Sequence, residues 1–249
     1  MLFRSRCREL LGSFSRETVH VGPCGSGARM KLVTNLVLGL NRAALAEGRP
    51  PPALRWEYFA TVSISVPLPS LTVTTVCNDH YFSSLQAARE CHRRGYRRLG
   101  IVQRKINQVR LQGRWHAGTL VAPHMFPHLD LIAPLFVDDM DDEAAILRWL
   151  KREKPDAIIS PGGEQLFELV TRRGWQIPGD IGLAWLACTR LGHRCSGVYQ
   201  NAELVGATAI DTLIGLMERY ERGLPTQATT LMIEGIWNEG RTLRPAPKS

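Results

Sequence analysis

The sequence predicts an α/β protein built as a parallel-sheet, three-layer α/β/α sandwich. Three observations predict it. Short continuous apolar runs, such as residues 99–102 and 157–159, read as strands buried on both faces. Capped stretches with helical spacing alternate with those runs, the order expected of βαβ units. No run approaches the roughly 18–20 apolar residues that a membrane-spanning helix needs.

Taken in order, the chain is least legible at its start. Residues 30–46 carry apolar residues at helical intervals and predict one helix, between a glycine-rich loop at 22–27 and a proline break at 48–52. Residues 59–66 alternate with β-branched side chains and predict a strand, which Pro67 and Pro69 end. A second strand, 71–76, runs to Asp79, whose carboxylate suits the N-cap of a helix. In that helix Phe82, Leu85, Ala88 and Cys91 form the predicted buried stripe, with Arg89, Arg93 and Arg94 mostly off it. Gly95 stands where a C-terminal cap takes positive φ. Strand 99–102 follows, then a polar loop at 103–108 and a helix at 110–121.

The second half repeats the pattern. Residues 131–137 predict a strand interrupted by Pro134, hence an edge strand. A helix starts at Asp141 or Asp142, turns Ala145, Trp149 and Leu150 inward, and stops before Pro155. Strand 156–159, a helix at 164–173 ending at Gly174, strand 181–187, a long helix at 203–222 and a last strand at 229–234 complete the prediction.

Composition narrows the function classes. The chain has 249 residues and a formal charge of +8, of which residues 1–50 carry +5. A basic N-terminal segment either meets nucleic acid electrostatically or is a solvated tail, and no DNA-reading motif favours the former. The N-terminus lacks a continuous hydrophobic segment, so no secretory signal is read and a cytoplasmic location is expected. Six cysteines, Cys7, Cys24, Cys77, Cys91, Cys188 and Cys195, lack CxxC spacing, which argues for reduced thiols and against a zinc site. His193 lies between the closest two. No GxSxG, HExxH, GxxxxGK[ST] or GxGxxG after a strand is present, so no catalytic residue, cofactor or metal ligand is assigned. The acidic group Asp138, Asp139, Asp141 and Asp142 reads as a solvated loop and helix start. His116, His124 and His128 have no ligand spacing.

Several motifs, in one order, resemble a known family. "GYRRLGIV" after an Ala-rich helix, the Arg110-x-x-Gly113 step, "PDAI" at 155–158, "GWQIPGDIGLA" at 174–184 and "WNEGRTL" at 237–243 are similar to the effector-binding core of LacI/GalR-type transcription regulators. The resemblance covers residues 56–244. It implies a periplasmic-binding-protein-like fold, with a nearly complete C-terminal subdomain (77–199 and 228–244) and an incomplete N-terminal one (53–76 and 200–227) after a basic segment at 1–52. It also implies a non-catalytic sensor of a small uncharged molecule, usually a sugar, and a homodimer. DNA would be reached only through a helix-turn-helix headpiece, and none is legible in residues 1–52. The competing readings are a small α/β enzyme acting on a nucleotide or phosphorylated metabolite, and a non-functional regulator fragment.

Three effector-binding residues follow. Arg110 is expected to open its helix and offer a planar fork to two sugar hydroxyls; otherwise it is a solvated helix-start arginine, and Arg114 takes the role if the register slips. Gln200 either turns its amide to a polyol or makes a cap or hinge hydrogen bond, Asn201 being the better N-cap. Trp185 either stacks on a sugar face or belongs to the core. The family's acceptor aspartate near Ala187 is replaced by Trp185-Leu186-Ala187-Cys188, and Pro161-Gly162-Gly163 replaces the polar Asn/Asp type of many relatives.

Overall fold

The structure, a computed structural model, describes residues 55–64, 66, 71–188, 191–192 and 194–247, and the backbone of 35–38. The basic segment's remaining residues, Cys7, Cys24, the glycine-rich loop at 22–27, the breaks at 48–52 and 67–69, and His193 lie outside the described residues.

In chain order the elements are β1 (Asn35–Leu38), a 3-10 turn (Trp56–Tyr58), β2 (Ala60–Ile64), β3 (Thr74–Asn78), α1 (His80–Arg93), β4 (Arg98–Arg104), α2 (Lys105–Arg110), α3 (Arg114–Met125) and β5 (Asp130–Leu131). Then come β6 (Leu135–Val137), α4 (Glu143–Glu153), β7 (Ala157–Ser160), α5 (Gly163–Arg172), β8 (Gly182–Cys188), β9 (Gly197–Tyr199), α6 (Ala202–Glu218), β10 (Thr230–Ile233) and β11 (Ile236–Asn238). The chain divides into two compact units, residues 1–78 with 201–233, and 79–200 with 234–249.

The first unit holds a four-stranded parallel sheet in the order β1-β2-β3-β10. Ala60, Val62 and Val76 turn to one face and meet Val205, Ala209, Ile210 and Leu213 of α6. Asn201 starts that helix in the left-handed region (φ 48°), its side chain accepting from Leu204 N at 3.3 Å. Two expectations are corrected here. Residues 35–38 form a strand paired with β2 inside the segment expected as one helix, because a short buried parallel strand and a buried helix turn read alike as an apolar run. Thr230–Ile233, grouped by sequence with the second unit, pairs instead with β3.

The second unit holds a sheet ordered β11-β9-β8-β7-β4-β5, with β6 also on β4. Its strands are parallel except β11, which is antiparallel to β9. Pro134 splits the expected strand into β5 and β6, both on the β4 edge, as a residue without a donor must. One face buries Val102, Ile158 and Leu183 under Ile146, Trp149 and Leu150 of α4 and Leu166, Leu169 and Val170 of α5. The Trp149 ring occupies the space over Gly100, where a Cβ would lie 2.4 Å from it, and Trp149 Nε1 donates to Ala133 O at 2.7 Å.

Both helix starts bear out the sequence. Asp79 accepts from Phe82 N at 2.8 Å, and Asp142 accepts from Ala145 N at 3.0 Å. The buried side of α1 differs from the stripe expected. Ser83, Ser84, Ala87, Ala88 and Cys91 are buried, whereas Phe82 and Leu85 are only partly so. The cause is α3, which crosses α1 so closely that Gly118 is needed at the contact. The terminal motif acts as a set of pins. Asn238 accepts from Gly192 N and donates to Cys195 O, both at 2.7 Å. Thr242 Oγ1 donates to Leu183 O at 2.7 Å and accepts from Ser196 N at 2.9 Å. Among the described residues, no helix is long and apolar enough to cross a membrane.

Candidate functional site

Parallel strands leave their carboxyl ends on one edge, and in the second unit those ends are Arg104, Val137, Ser160, Cys188 and Tyr199. Open α/β sheets bind ligands at that edge, where helix N-termini and loops converge. The polar side chains there fall into three groups.

The first group follows β4. The loop expected at 103–108 does not form: β4 runs on to Arg104, and α2 begins at once with Lys105. Arg110 therefore closes a helix and does not open one. Gln112 (φ 52°) and Gly113 (φ 72°) then turn the chain into α3. The Arg110 guanidinium is partly buried, Nη2 donating to Asn107 Oδ1 at 3.3 Å. Burial lowers its pKa from the usual arginine value. No carboxylate among the described residues lies within ion-pair distance of it.

Behind it runs a chain of neutral groups that the sequence did not mark. Gln103, wholly buried at the end of β4, donates from Nε2 to Gln108 Oε1 at 3.1 Å. Gln108 Nε2 lies 3.4 Å from His116 Nδ1, which assigns the ring proton to Nε2. His116 meets Phe136 edge-on at 5.3 Å. Gln103 Oε1 and His116 Nε2, at the two ends, are buried with no hydrogen-bond partner among the described residues. A strand-end glutamine and a histidine without ligand spacing carry no signal in sequence; only the turn between α2 and α3 joins them.

Burial holds the His116 pKa below 6.5. A base with a depressed folded pKa lets the unfolded chain bind the extra proton first, so stability is full above 6.5 and is lost as pH falls through the folded value. Denaturant melts of wild type and His116→Gln between pH 7.5 and 5 check this: the wild type should weaken across that range more steeply than the variant.

The second group lies on the α4/α5 face. Trp185 pairs in register with Ser160 and is 6% exposed, packed with Phe167, Cys188, Cys195 and Tyr199. Its indole fills the place of a side chain at Gly163, where a Cβ would come 1.5 Å from Nε1. That close seat explains the glycine at the start of α5. Ser160 Oγ is buried without a hydrogen-bond partner among the described residues. The third group is Gln200, whose Nε2 donates to Leu186 O at 2.8 Å and ties the end of β9 to β8, the strand that carries Trp185. Gln200 and Trp185 thus meet on one strand, and Arg110 belongs to α2.

Residues with other potential chemistry serve the fold. Burial pushes the Cys188 thiol up to about 12 and Cys195 up to about 11, so neither is a thiolate near neutral pH. In the acidic group, Asp142 caps α4, Asp138 pairs with Lys105 at 2.8 Å, and Asp139 Oδ1 accepts from Asp141 N at 3.4 Å. Among the described residues no three His, Cys, Asp or Glu side chains gather as a metal site.

No protein-family model matches the chain, and no curated protein matches it. Solved structures do. A transcriptional regulator CelR–cellobiose complex aligns with a TM-score of 0.58 at 19% identity, over 73% of this chain and 58% of that one. The transcription regulator CcpA of Lactococcus lactis aligns at 0.60 and 14% identity, over 75% of this chain and 70% of that one. A periplasmic binding ribose operon repressor protein from Lactobacillus acidophilus aligns at 0.58 and 16%, over 78% and 73%. The chain spans 58% and 66% of the length of two of the regulators it matches. The chain therefore has the periplasmic-binding-protein-like α/β fold of the LacI-type transcription regulators.

Proposed function

We propose that this chain is the effector-sensing part of a LacI/GalR-like transcription regulator, binding a small molecule, a sugar or sugar derivative, without reacting with it. The observation that carries the reading is the carboxyl edge of the second unit. There Arg110, Gln103 and Ser160 hold buried or half-buried polar atoms, two of them, Gln103 Oε1 and Ser160 Oγ, without a hydrogen-bond partner among the described residues, in a fold shared with a cellobiose-bound regulator. A buried polar atom left unpaired costs free energy that a ligand hydroxyl recovers. No nucleophile–base pair stands at that edge among the described residues, and the thiols there are protonated.

In this reading Arg110 contacts the ligand, Gln200 fixes the end of β9, and Trp185 packs β8 against the start of α5. Regulation then needs a ligand whose affinity differs between two arrangements of the protein; tight binding alone shifts nothing. A cytoplasmic homodimer, with DNA contacts made by a separate headpiece, is the assembly this reading implies.

Calorimetric titration with a panel of cellobiose, ribose, glucose and their acidic derivatives tests it. At least one compound should bind, and Arg110→Ala should weaken that compound about tenfold or more, the loss expected for a charge-assisted hydrogen bond. An unchanged affinity in Arg110→Ala would remove Arg110 from the site.

A further inference from the structure

We infer that the effector carries an oxyanion, a phosphate or a carboxylate, and that Arg110 receives it. The inference rests on the sensing role proposed above and narrows its ligand from sugars in general to acidic ones.

Three observations lead there. Arg110 is partly buried and fully cationic near neutral pH, yet its hydrogen-bond partner is the neutral Asn107 amide at 3.3 Å. Burying a guanidinium without a counter-charge is costly, and such groups are normally paired. Elsewhere in this unit arginines do find carboxylates: Arg94 has Glu90 and Glu239, and Arg172 and Arg173 share Glu143. Arg110 is thus left for a charge that the described residues do not supply.

The second observation concerns acceptors. A neutral polyol donates hydrogen bonds as well as accepting them, and a carboxylate, an acceptor with no proton to donate, suits its hydroxyls but repels an oxyanion. The loops leaving β7 and β8 carry none: Ser160 runs into Pro161-Gly162-Gly163, β8 closes on Trp185-Leu186-Ala187-Cys188, and Glu164, in the first turn of α5, is paired with Arg194 at 3.8 Å. The Asp138 carboxylate, at the end of β6, is engaged by Lys105 at 2.8 Å.

Third, three cations gather around α2, while of the four aspartates after β6 Asp138 is engaged by Lys105, Asp142 caps α4, Asp139 accepts from Asp141 N and Asp141 is exposed. Arg104 and Lys105 stand at the start of the same short helix that Arg110 ends, so three cations lie within seven residues of sequence, with Asp138 as the paired anion. A planar guanidinium with two parallel N–H groups matches the two oxygens of a phosphate or carboxylate. Asn107, one helical turn before Arg110, holds the guanidinium by its side-chain oxygen and leaves the other N–H groups for the anion.

The test uses the whole chain and matched probes: glucose, gluconate, glucose 6-phosphate and inorganic phosphate, titrated by calorimetry and followed by thermal shift. The expected result is that at least one acidic sugar binds ten- to a hundredfold tighter than glucose, with a weaker response to inorganic phosphate alone. Arg110→Met should abolish that preference, and Arg110→Lys, which keeps the charge but loses the fork, should retain part of it. Circular dichroism of both variants confirms folding. Phosphate alone binding as tightly as the phosphorylated sugar identifies a simple anion site and overturns the inference. An uncharged sugar binding as tightly as its acidic partner, or a preference that survives Arg110→Met, overturns it too and leaves the sensor reading standing. No response to any probe or to the neutral panel removes both.

Discussion

Replacing Gly118 with valine should lower the melting temperature by about 6–12 °C, the shift that a loss of roughly 3 kcal/mol produces in a chain this size. A Cβ at Gly118 would sit 2.1 Å from Ser84 Oγ and 2.4 Å from the backbone oxygen of Tyr81. The serine can rotate, but the carbonyl is part of α1 and cannot yield unless the two helices part. Overpacking of this kind typically costs about 1–3 kcal/mol, and a β-branched residue adds a further entropic penalty in a helix. Against this, removing a helical glycine gains at most about 1 kcal/mol. Gly162→Ala is the matching control: nothing lies within 4 Å of its Cβ, so its melt should stay within about 1–2 °C of wild type.

Arg94→Met should cost about 3 kcal/mol for a different reason. The Arg94 side chain is 1% exposed and donates to the Glu90 carboxylate and, at 2.8 and 2.7 Å, to both oxygens of Glu239. It thereby fastens the end of α1 to the segment after β11. Methionine fills much of the volume but leaves Glu90, itself 7% exposed, with only the solvent-facing Arg93 at 3.0 Å and Arg89 at 3.9 Å. Losing one member of a buried ion pair hurts because the other charge stays behind desolvated. Adding Glu90→Leu should therefore recover part of the loss, and a double-mutant cycle by denaturant melts measures how much.

The same cluster sets an acid limit. Burial alone would raise the Glu239 pKa, but hydrogen bonds from Arg94 and Trp237 outweigh it and hold the carboxyl below 4.5. An acid with a depressed folded pKa gives stability that is present above 4.5 and is lost as pH falls through the folded value. This loss begins below 4.5, whereas the His116 loss already begins below 6.5.

Much of this fold is legible in the sequence because its strong signals are local. Asp79 and Asp142 are caps that act over three residues, Gly95 marks a turn by its own φ of 77°, and Pro134 forbids an inner strand without reference to anything distant. What sequence misses depends on partners far along the chain. Residues 35–38 look helical until β2 is there to pair with them. The stripe of α1 looks like Phe82 and Leu85 until Gly118 brings α3 close enough to bury serines. The polar chain from Gln103 to His116 exists because α2 replaces the expected loop and folds Gln108 back between them. Arg110 is legible as a position, since the Arg-x-x-Gly step is visible; its missing counter-charge is not, because that is a statement about every carboxylate nearby.

The central claim is that the carboxyl edge of the second unit holds a small molecule and does nothing to it. The most direct measurement is calorimetric titration of the intact chain with the sugar and sugar-acid panel, followed by recovery of the bound compound and its mass and chromatographic identity. The account predicts one-to-one binding, weakened in Arg110→Ala, with the ligand returned chemically unchanged after prolonged incubation. A ligand returned cleaved, oxidised or stripped of its phosphate would contradict it, as would a full panel that binds no more tightly to the wild type than to Arg110→Ala.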